Sequence, residues 1–350
     1  MLSKVRSMNI HNVDFDTDLR HSFTEYIKIL YKHKSRRMKF RGSTKEELII
    51  WQRRARTRLI EILGGKPEIV PELNLKRKVI EETANFSIER LLYQTRKDLW
   101  ATAYLVLPKR VEFPAPAVLC PPGHGRGMNQ VLFERGRYCV YKRYPLELAK
   151  QGFICLVPEH IGFGERGGTT NDSSHIFYYL ALNLLGESMM GFFLWDLQCA
   201  LNVLTAIPEV DNKRIGCYGL SLGGELTLLL TAIDERIKCA CISGFLSSYA
   251  SSFLSQAHCG CGYVYGLVRD FEHVDIAALI APRPLLIESG TKDPLFPIDE
   301  ARKSFSYLRK IYRIMDAEDR LAHCIFDGGH EILGVVAFDW LNKWLRNGDN

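Results

Sequence analysis

Three residues in this chain have the types and the order needed for acyl transfer. The first is Ser221 in Cys217–Glu225, CYGLSLGGE, a serine with a glycine two places away on either side. Taken alone, that stretch fits a nucleophile, a phosphate cradle or a plain turn. The second is Asp293 in Thr291-Lys292-Asp293-Pro294, and the third is His330 in Gly328-Gly329-His330-Glu331. A serine hydroxyl is a weak nucleophile until an imidazole can take its proton. The imidazole in turn needs a carboxylate to fix its tautomer and steady its charge. Serine, acid and histidine in that chain order is the order of a nucleophile elbow. Gly219 and Gly223 are needed there because a side chain at either would collide with the tight strand-to-helix backbone. The N–H of Leu222, at the helix start, would point at the developing oxyanion, and a second donor is expected from Gly125 or Arg126. The phosphate reading falls, because no Gly-Lys-Ser/Thr follows and the glycine spacing does not fit a dinucleotide turn.

These residues act together only if strands deliver them to one edge. From Ala115 onward, short strands that are apolar along their whole length alternate with helices. The strands are residues 117–120, 153–158, 215–219, 239–244, 284–290 and 323–329. Helices are expected over 144–151 and 192–207, from Ser221, from Asp299, and over 332–345. Such strands are buried on both faces, the mark of a parallel sheet covered by helices. Ligands of a doubly wound sheet bind beyond the carboxyl ends of its strands, which is where Ser221, Asp293 and His330 stand. Residues 76–80, 86–93 and 100–107 read as an antiparallel N-terminal edge. The expected fold is therefore α/β, a mostly parallel doubly wound sheet. Residues 245–275, rich in Ser, Tyr, Cys and Gly, break the alternation and read as a lid-like insert.

Residues 1–75 read as a helical extension of a catalytic domain over 76–350. Leu19, Phe23, Ile27, Leu30 and Tyr31 recur at helical spacing between Asp18 and Phe40. A capping box, Ser43-Thr44-Lys45-Glu46, opens a second helix that carries Leu48, Trp51, Ala55, Leu59 and Ile62 and stops at Gly64-Gly65. Their arginine-rich faces read as solvated. With 47% hydrophobic and 25% charged residues the composition is globular, and the net charge of +6 is too mild for a nucleic-acid-binding body. The start lacks the features of a secretory signal, and no apolar run approaches a membrane span, so a cytoplasmic protein without a membrane partner is expected. Homo-oligomerisation stays open. The ten cysteines are scattered, several of them within strands, and are expected to be reduced. Cys239/Cys241 and Cys259/Cys261 lack a second matching pair, so neither reads as a zinc site, and no metal or cofactor is expected.

Asp293 has three rivals with plain structural roles: Glu288 within a strand, Asp299 at a helix start and Asp327 at a strand end. His124 belongs to the oxyanion loop and could line the pocket, and Phe192, Phe193, His258 and Tyr263 are candidate walls. Arg126, Arg135, Arg137, Lys142 and Arg143 could face the entrance and favour an anionic substrate, with a solvated surface as the default. Glu159, His160 and Arg166 are read as ordering their own loop through ion pairs.

The stretches PPGHG, LELAKQGFICLVPEHIGFGERG, RIGCYGLSLGG, DIAALIAPRPLLIESGTKDPLFP and FDGGHE together resemble the α/β-hydrolase superfamily. Within it, the chain is most similar to dienelactone-hydrolase-like and acetyl-xylan-esterase-like hydrolases with an N-terminal helical extension. Dienelactone hydrolases proper use a cysteine where this chain has Ser221, so their substrate does not carry over. The resemblance implies a serine hydrolase acting on small carboxylic esters through an acyl-enzyme. An amidase, a peptidase or a C–C bond hydrolase shares the same three residues, and a non-catalytic scaffold would be expected to break them.

Overall fold

The computed structural model describes residues 23–34, 36–136, 139–167 and 174–346. Among them one sheet has the strand order β1(Lys76–Glu82), β2(Phe86–Arg96), β3(Leu99–Pro108), β5(Ile154–Pro158), β4(Ala115–Leu119), β6(Val210–Leu220), β7(Ile237–Ser243), β8(Leu285–Gly290), β9(Leu321–Phe326). The first three strands form an antiparallel meander whose β3 also pairs antiparallel with β5, and from β5 to β9 every pairing is parallel.

β4, β5 and β8 are buried along their entire length. Their alternate residues feed two cores. Ala117 and Leu119 join Leu156 and Ile287 in the core beneath α6(Met189–Ala206), α7(Leu222–Ile233) and α10(Ile298–Ile314). Val118, Cys155 and Leu286 join the core beneath α3(Met128–Phe133), α4(Tyr144–Lys150) and α11(Val335–Leu345). From β4 the chain steps outward to β5, then returns past β4 to β6. The switch point, and with it the crevice, therefore lies at the carboxyl ends of β4 and β6. By length and composition α6 could cross a membrane, contrary to the expectation of no such run, but 72% of it is buried inside this fold.

The N-terminal helices are α1(Phe23–Lys34) and α2(Lys45–Leu63). Leu19 and Asp18 lie outside the described residues. α1 ends well before Phe40: Arg36 takes a positive φ of 60°, and the chain then runs along the insert, Arg37 N–H bonding Arg269 O and Met38 N–H bonding Asp270 O. α2 is capped one residue later than expected. Thr44 accepts the N–H of Glu47, whose carboxylate returns to the N–H groups of Ser43 and Thr44.

Several arginines read as solvated instead face inward. The second half of the insert, which includes α8(Leu267–Asp270) and α9(His273–Ala277), presents carboxylates to them. Arg36 grips Asp275 through two bonds of 2.9 and 2.8 Å, and Arg37 and Arg58 share Asp270. Tyr31 hydroxyl donates to Glu272, and Gln52 amide donates to the carbonyls of Ala278 and Ala281. The insert is thus a two-sided piece, cavity wall on one side and clamp for the extension on the other, and not a lid alone. Asp275 is fully buried, and it also caps α9 by accepting the N–H of Glu272. Asp275→Ala is expected to cost about 2–3 kcal/mol. Urea unfolding would read this as a lower midpoint at unchanged m.

Candidate active site

β6 ends at Leu220 and α7 begins at Leu222, which leaves Ser221 on the corner with φ 62° and ψ −124°. This is a sparsely populated conformation for a residue with a Cβ, and it turns the hydroxyl out of the sheet. The corner is possible only with glycine on both sides. A Cβ on Gly219 would lie 2.4 Å from the carbonyl oxygen of Gly223, and one on Gly223 would lie 2.2 Å from that of Pro121.

The turns after β8 and β9 are tied together by Thr291 N–H to Phe326 O and Lys292 N–H to Gly328 O, both 2.9 Å. They bring His330 Nδ1 to 2.7 Å from Asp293 Oδ2. A carboxylate only accepts, so Nδ1 carries the proton and Nε2 is left as the acceptor. The other oxygen of Asp293 takes the N–H groups of Leu295 (2.8 Å) and Phe296 (3.2 Å), which fixes the carboxylate. The ring of Phe296 stacks on His330. Ser221 and His330 line the same cavity, with no hydrogen bond between Oγ and the ring among the described residues. Such a bond is often long until substrate is in place. The three rival acids are otherwise engaged. Glu288 takes the Tyr218 hydroxyl and the Gly334 N–H, Asp299 pairs with Arg302, and exposed Asp327 pairs with Lys292.

The oxyanion loop departs from expectation. Arg126 N–H is bonded to Gln130 Oε1 at 2.8 Å, and its guanidinium pairs with Glu134. Gly125 faces the same glutamine, since a Cβ there would lie 1.9 Å from Gln130 Oε1. Neither residue lines the cavity, whereas His124 does. Gly123, just before it, is so close to the corner that a Cβ would sit 3.3 Å from Ser221 Cβ. The peptide N–H that follows, that of His124, has no partner among the described residues. It therefore stands with the N–H of Leu222, an orphan of the helix start, beside the serine. His124 takes the place expected for Gly125 or Arg126.

The cavity holds about 380 Å³, and its walls include Leu220, Phe245, Phe253, Leu295 and Phe296. His258 lines it as expected, with its pKa lowered by burial and by the neighbouring imidazoles of His124 and His330. Tyr263 stands behind the wall, where its hydroxyl donates to Phe253 O. Phe192 and Phe193 are not in the wall. Arg96 stacks on Phe192, and Phe193 is fully buried against His160 and Phe163. No lysine or arginine lines the cavity. Lys142 pairs with Glu331, Arg143 bonds Leu132 O, Arg135 lies exposed elsewhere, and Arg137 lies outside the described residues. The reading of a cationic entrance for an anionic substrate is therefore not supported.

The loop after β5 is ordered by buried polar groups. Its ion pair joins Arg166 to Asp196 at 2.6 Å, while Arg166 reaches only the backbone oxygen of Glu159. His160 bonds Pro122 O, and burial pushes its pKa down to about 3. The Glu159 carboxyl, taking N–H groups of Met128 and Glu165, is pushed up by burial to about 7. The native state therefore holds this proton where the unfolded chain has lost it, so stability falls as pH rises from about 4.5 to about 7. Glu159→Gln should remove on the order of 3 kcal/mol of that slope. Thermal melts would show the variant matching wild type near pH 4 and exceeding it at pH 8.

A family model described as "Abhydrolase family" matches residues 14–324. The chain belongs to the Abhydrolase family. "Putative hydrolase YtaP" of Bacillus subtilis (strain 168) is 32% identical over 302 residues, covering 83% of this chain and 98% of that one. Among solved structures, a "putative acetyl xylan esterase (BF1801)" from Bacteroides fragilis NCTC 9343 superposes with a TM-score of 0.74 at 20% identity, covering 88% of this chain and 82% of the other. A glucuronoyl esterase from Solibacter usitatus gives 0.63 at 15% identity, covering 88% and 95%. At these identities the two structures establish the α/β-hydrolase fold, and the family makes the chain a hydrolase.

Proposed function

We propose that this Abhydrolase-family protein is a serine hydrolase that cleaves small carboxylic esters with an uncharged acyl group. Ser221 attacks the carbonyl carbon and His330 takes the hydroxyl proton at Nε2. Asp293 holds the ring and steadies the imidazolium, and the N–H groups of Leu222 and His124 receive the oxyanion. His330 then gives the proton to the departing alcohol, and the same base activates a water that frees the acid. The observation that carries this reading is the 2.7 Å bond from His330 to Asp293 in the same cavity as Ser221 on its strained corner. The apolar wall of Phe245, Phe253 and Phe296 supports an uncharged acyl group. The esterase names of the neighbours support an ester over an amide, with an acetylated sugar among the candidates. The ten unbridged cysteines support a cytoplasmic home. A panel of p-nitrophenyl acyl esters and matched anilides tests the reading. Hydrolysis of short-acyl esters is expected, and activity confined to the anilides would overturn it.

A further inference from the structure

At the rim of the same cavity lies a group of side chains that acyl transfer does not use. His124 on the loop after β4, His175 in the first turn of α5(Ser174–Leu184) and Cys259 in the insert each bring one donor atom, and these three atoms lie within 4.8 Å of one another. Cys261 completes the group, its Sγ 3.1 Å from His124 Nε2 and 3.3 Å from Cys259 Sγ. Zinc, bonded to nitrogen and sulfur at about 2.0–2.3 Å, spaces its tetrahedral ligands roughly 3.3–3.8 Å apart. The four donors are already near that spacing. Two imidazoles and two thiols are a set that suits zinc and disfavours magnesium or calcium.

Two further features fit a cation here. The ring of Phe163 stacks on His175 at 4.6 Å between centroids and meets His124 edge-on at 5.7 Å, so one buried aromatic orients both imidazoles. Glu225, 3% exposed, shares the cavity wall with Cys259, and its Oε1 has no hydrogen-bond partner. A buried carboxyl oxygen left unpaired beside a thiol pair is costly unless positive charge lies near it.

We propose that His124, His175, Cys259 and Cys261 bind one zinc ion, with these four side chains as its whole shell. Binding takes the two thiols to thiolates and releases two protons, which leaves a neutral Cys₂His₂ site. This departs from the expectation of no metal. The sequence showed a lone Cys-x-Cys pair, and its partners are histidines far away in the chain. The ion fastens together the oxyanion loop, α5 and the insert, three walls of one cavity. The proposal stands whether or not Ser221 is a nucleophile.

The test uses the full chain, stripped with a chelator under reducing conditions and titrated with zinc chloride against a chromophoric competitor, then with cobalt chloride. The expected result is about one zinc per chain, and for cobalt a thiolate charge-transfer band with visible bands of tetrahedral intensity. Cys259→Ser and His175→Ala should each weaken zinc binding by at least about 100-fold, the upper end of what losing a mere outer-shell partner costs. Far-UV circular dichroism of the stripped variants, matched to stripped wild type, separates ligand loss from misfolding. Zinc should raise the melting temperature of wild type and not of either variant. Stoichiometry far below one, absence of the cobalt–thiolate band, or wild-type affinity in both variants would overturn the proposal. So would a Cys259–Cys261 disulfide found by mass spectrometry in chain purified with reductant.

Discussion

Ser221→Ala is expected to lower kcat on a short-acyl p-nitrophenyl ester by about 10⁵–10⁶-fold, with labelling by a fluorophosphonate probe abolished. The variant should still fold. Alanine keeps the Cβ that already occupies φ 62°, so the strain of the corner is unchanged, and the serine hydroxyl makes no hydrogen bond among the described residues that folding would miss. What disappears is the atom that forms the acyl bond. Residual turnover would come from Leu222 and His124 N–H groups acting on a carbonyl attacked by water, a remnant of about 10³–10⁴ over the uncatalysed rate. A melting temperature near that of wild type would assign the loss to chemistry. Labelling that survives the substitution would point to another nucleophile and remove Ser221 from the mechanism.

How much of this was legible in the sequence depended on whether the signal lay in side-chain type or in where backbone points. The inner strands could be read because burial on both faces makes them apolar throughout, as in Ile154–Pro158. Ser221, Asp293 and His330 could be read because each is a distinctive residue just past such a strand. The second oxyanion donor could not. It is a peptide N–H, and only the packing of Gly123 against Ser221, with Gln130 occupying Arg126 N–H, selects His124. Phe192 and Phe193 were misread for a related reason. α6 is apolar nearly all round, so its pattern does not say which side meets the cavity. Ser43–Glu46 and Thr44–Glu47 both satisfy a capping-box pattern, and the bonds made by Thr44 and Glu47 decide between them. The inward arginines needed Asp270 and Asp275, more than two hundred positions away, to be on the page. Likewise His175 and Cys259 meet only because α5, which the alternation did not reveal, packs on the insert.

Asp293→Asn is expected to lower kcat by about 10⁴-fold with little change in KM. The reason lies in how the carboxylate is held. Its Oδ1 accepts the N–H groups of Leu295 and Phe296, so the asparagine carbonyl must take that position. The amide NH₂ is then left where Oδ2 now stands, 2.7 Å from His330 Nδ1. A donor facing Nδ1 drives the imidazole proton to Nε2, the atom that has to accept the serine proton. The ring stays in place and in the wrong tautomer. Asp293 is absent from the cavity wall, which is why substrate binding should be spared. Fluorophosphonate labelling should slow in parallel with kcat, since both need the same proton transfer. Asp327→Asn and Asp299→Asn serve as controls and should stay within about two-fold, because those carboxylates pair with Lys292 and Arg302 on the surface. A fall of less than ten-fold in the Asp293 variant, or an equal fall in the Asp327 variant, would move the orienting role away from Asp293.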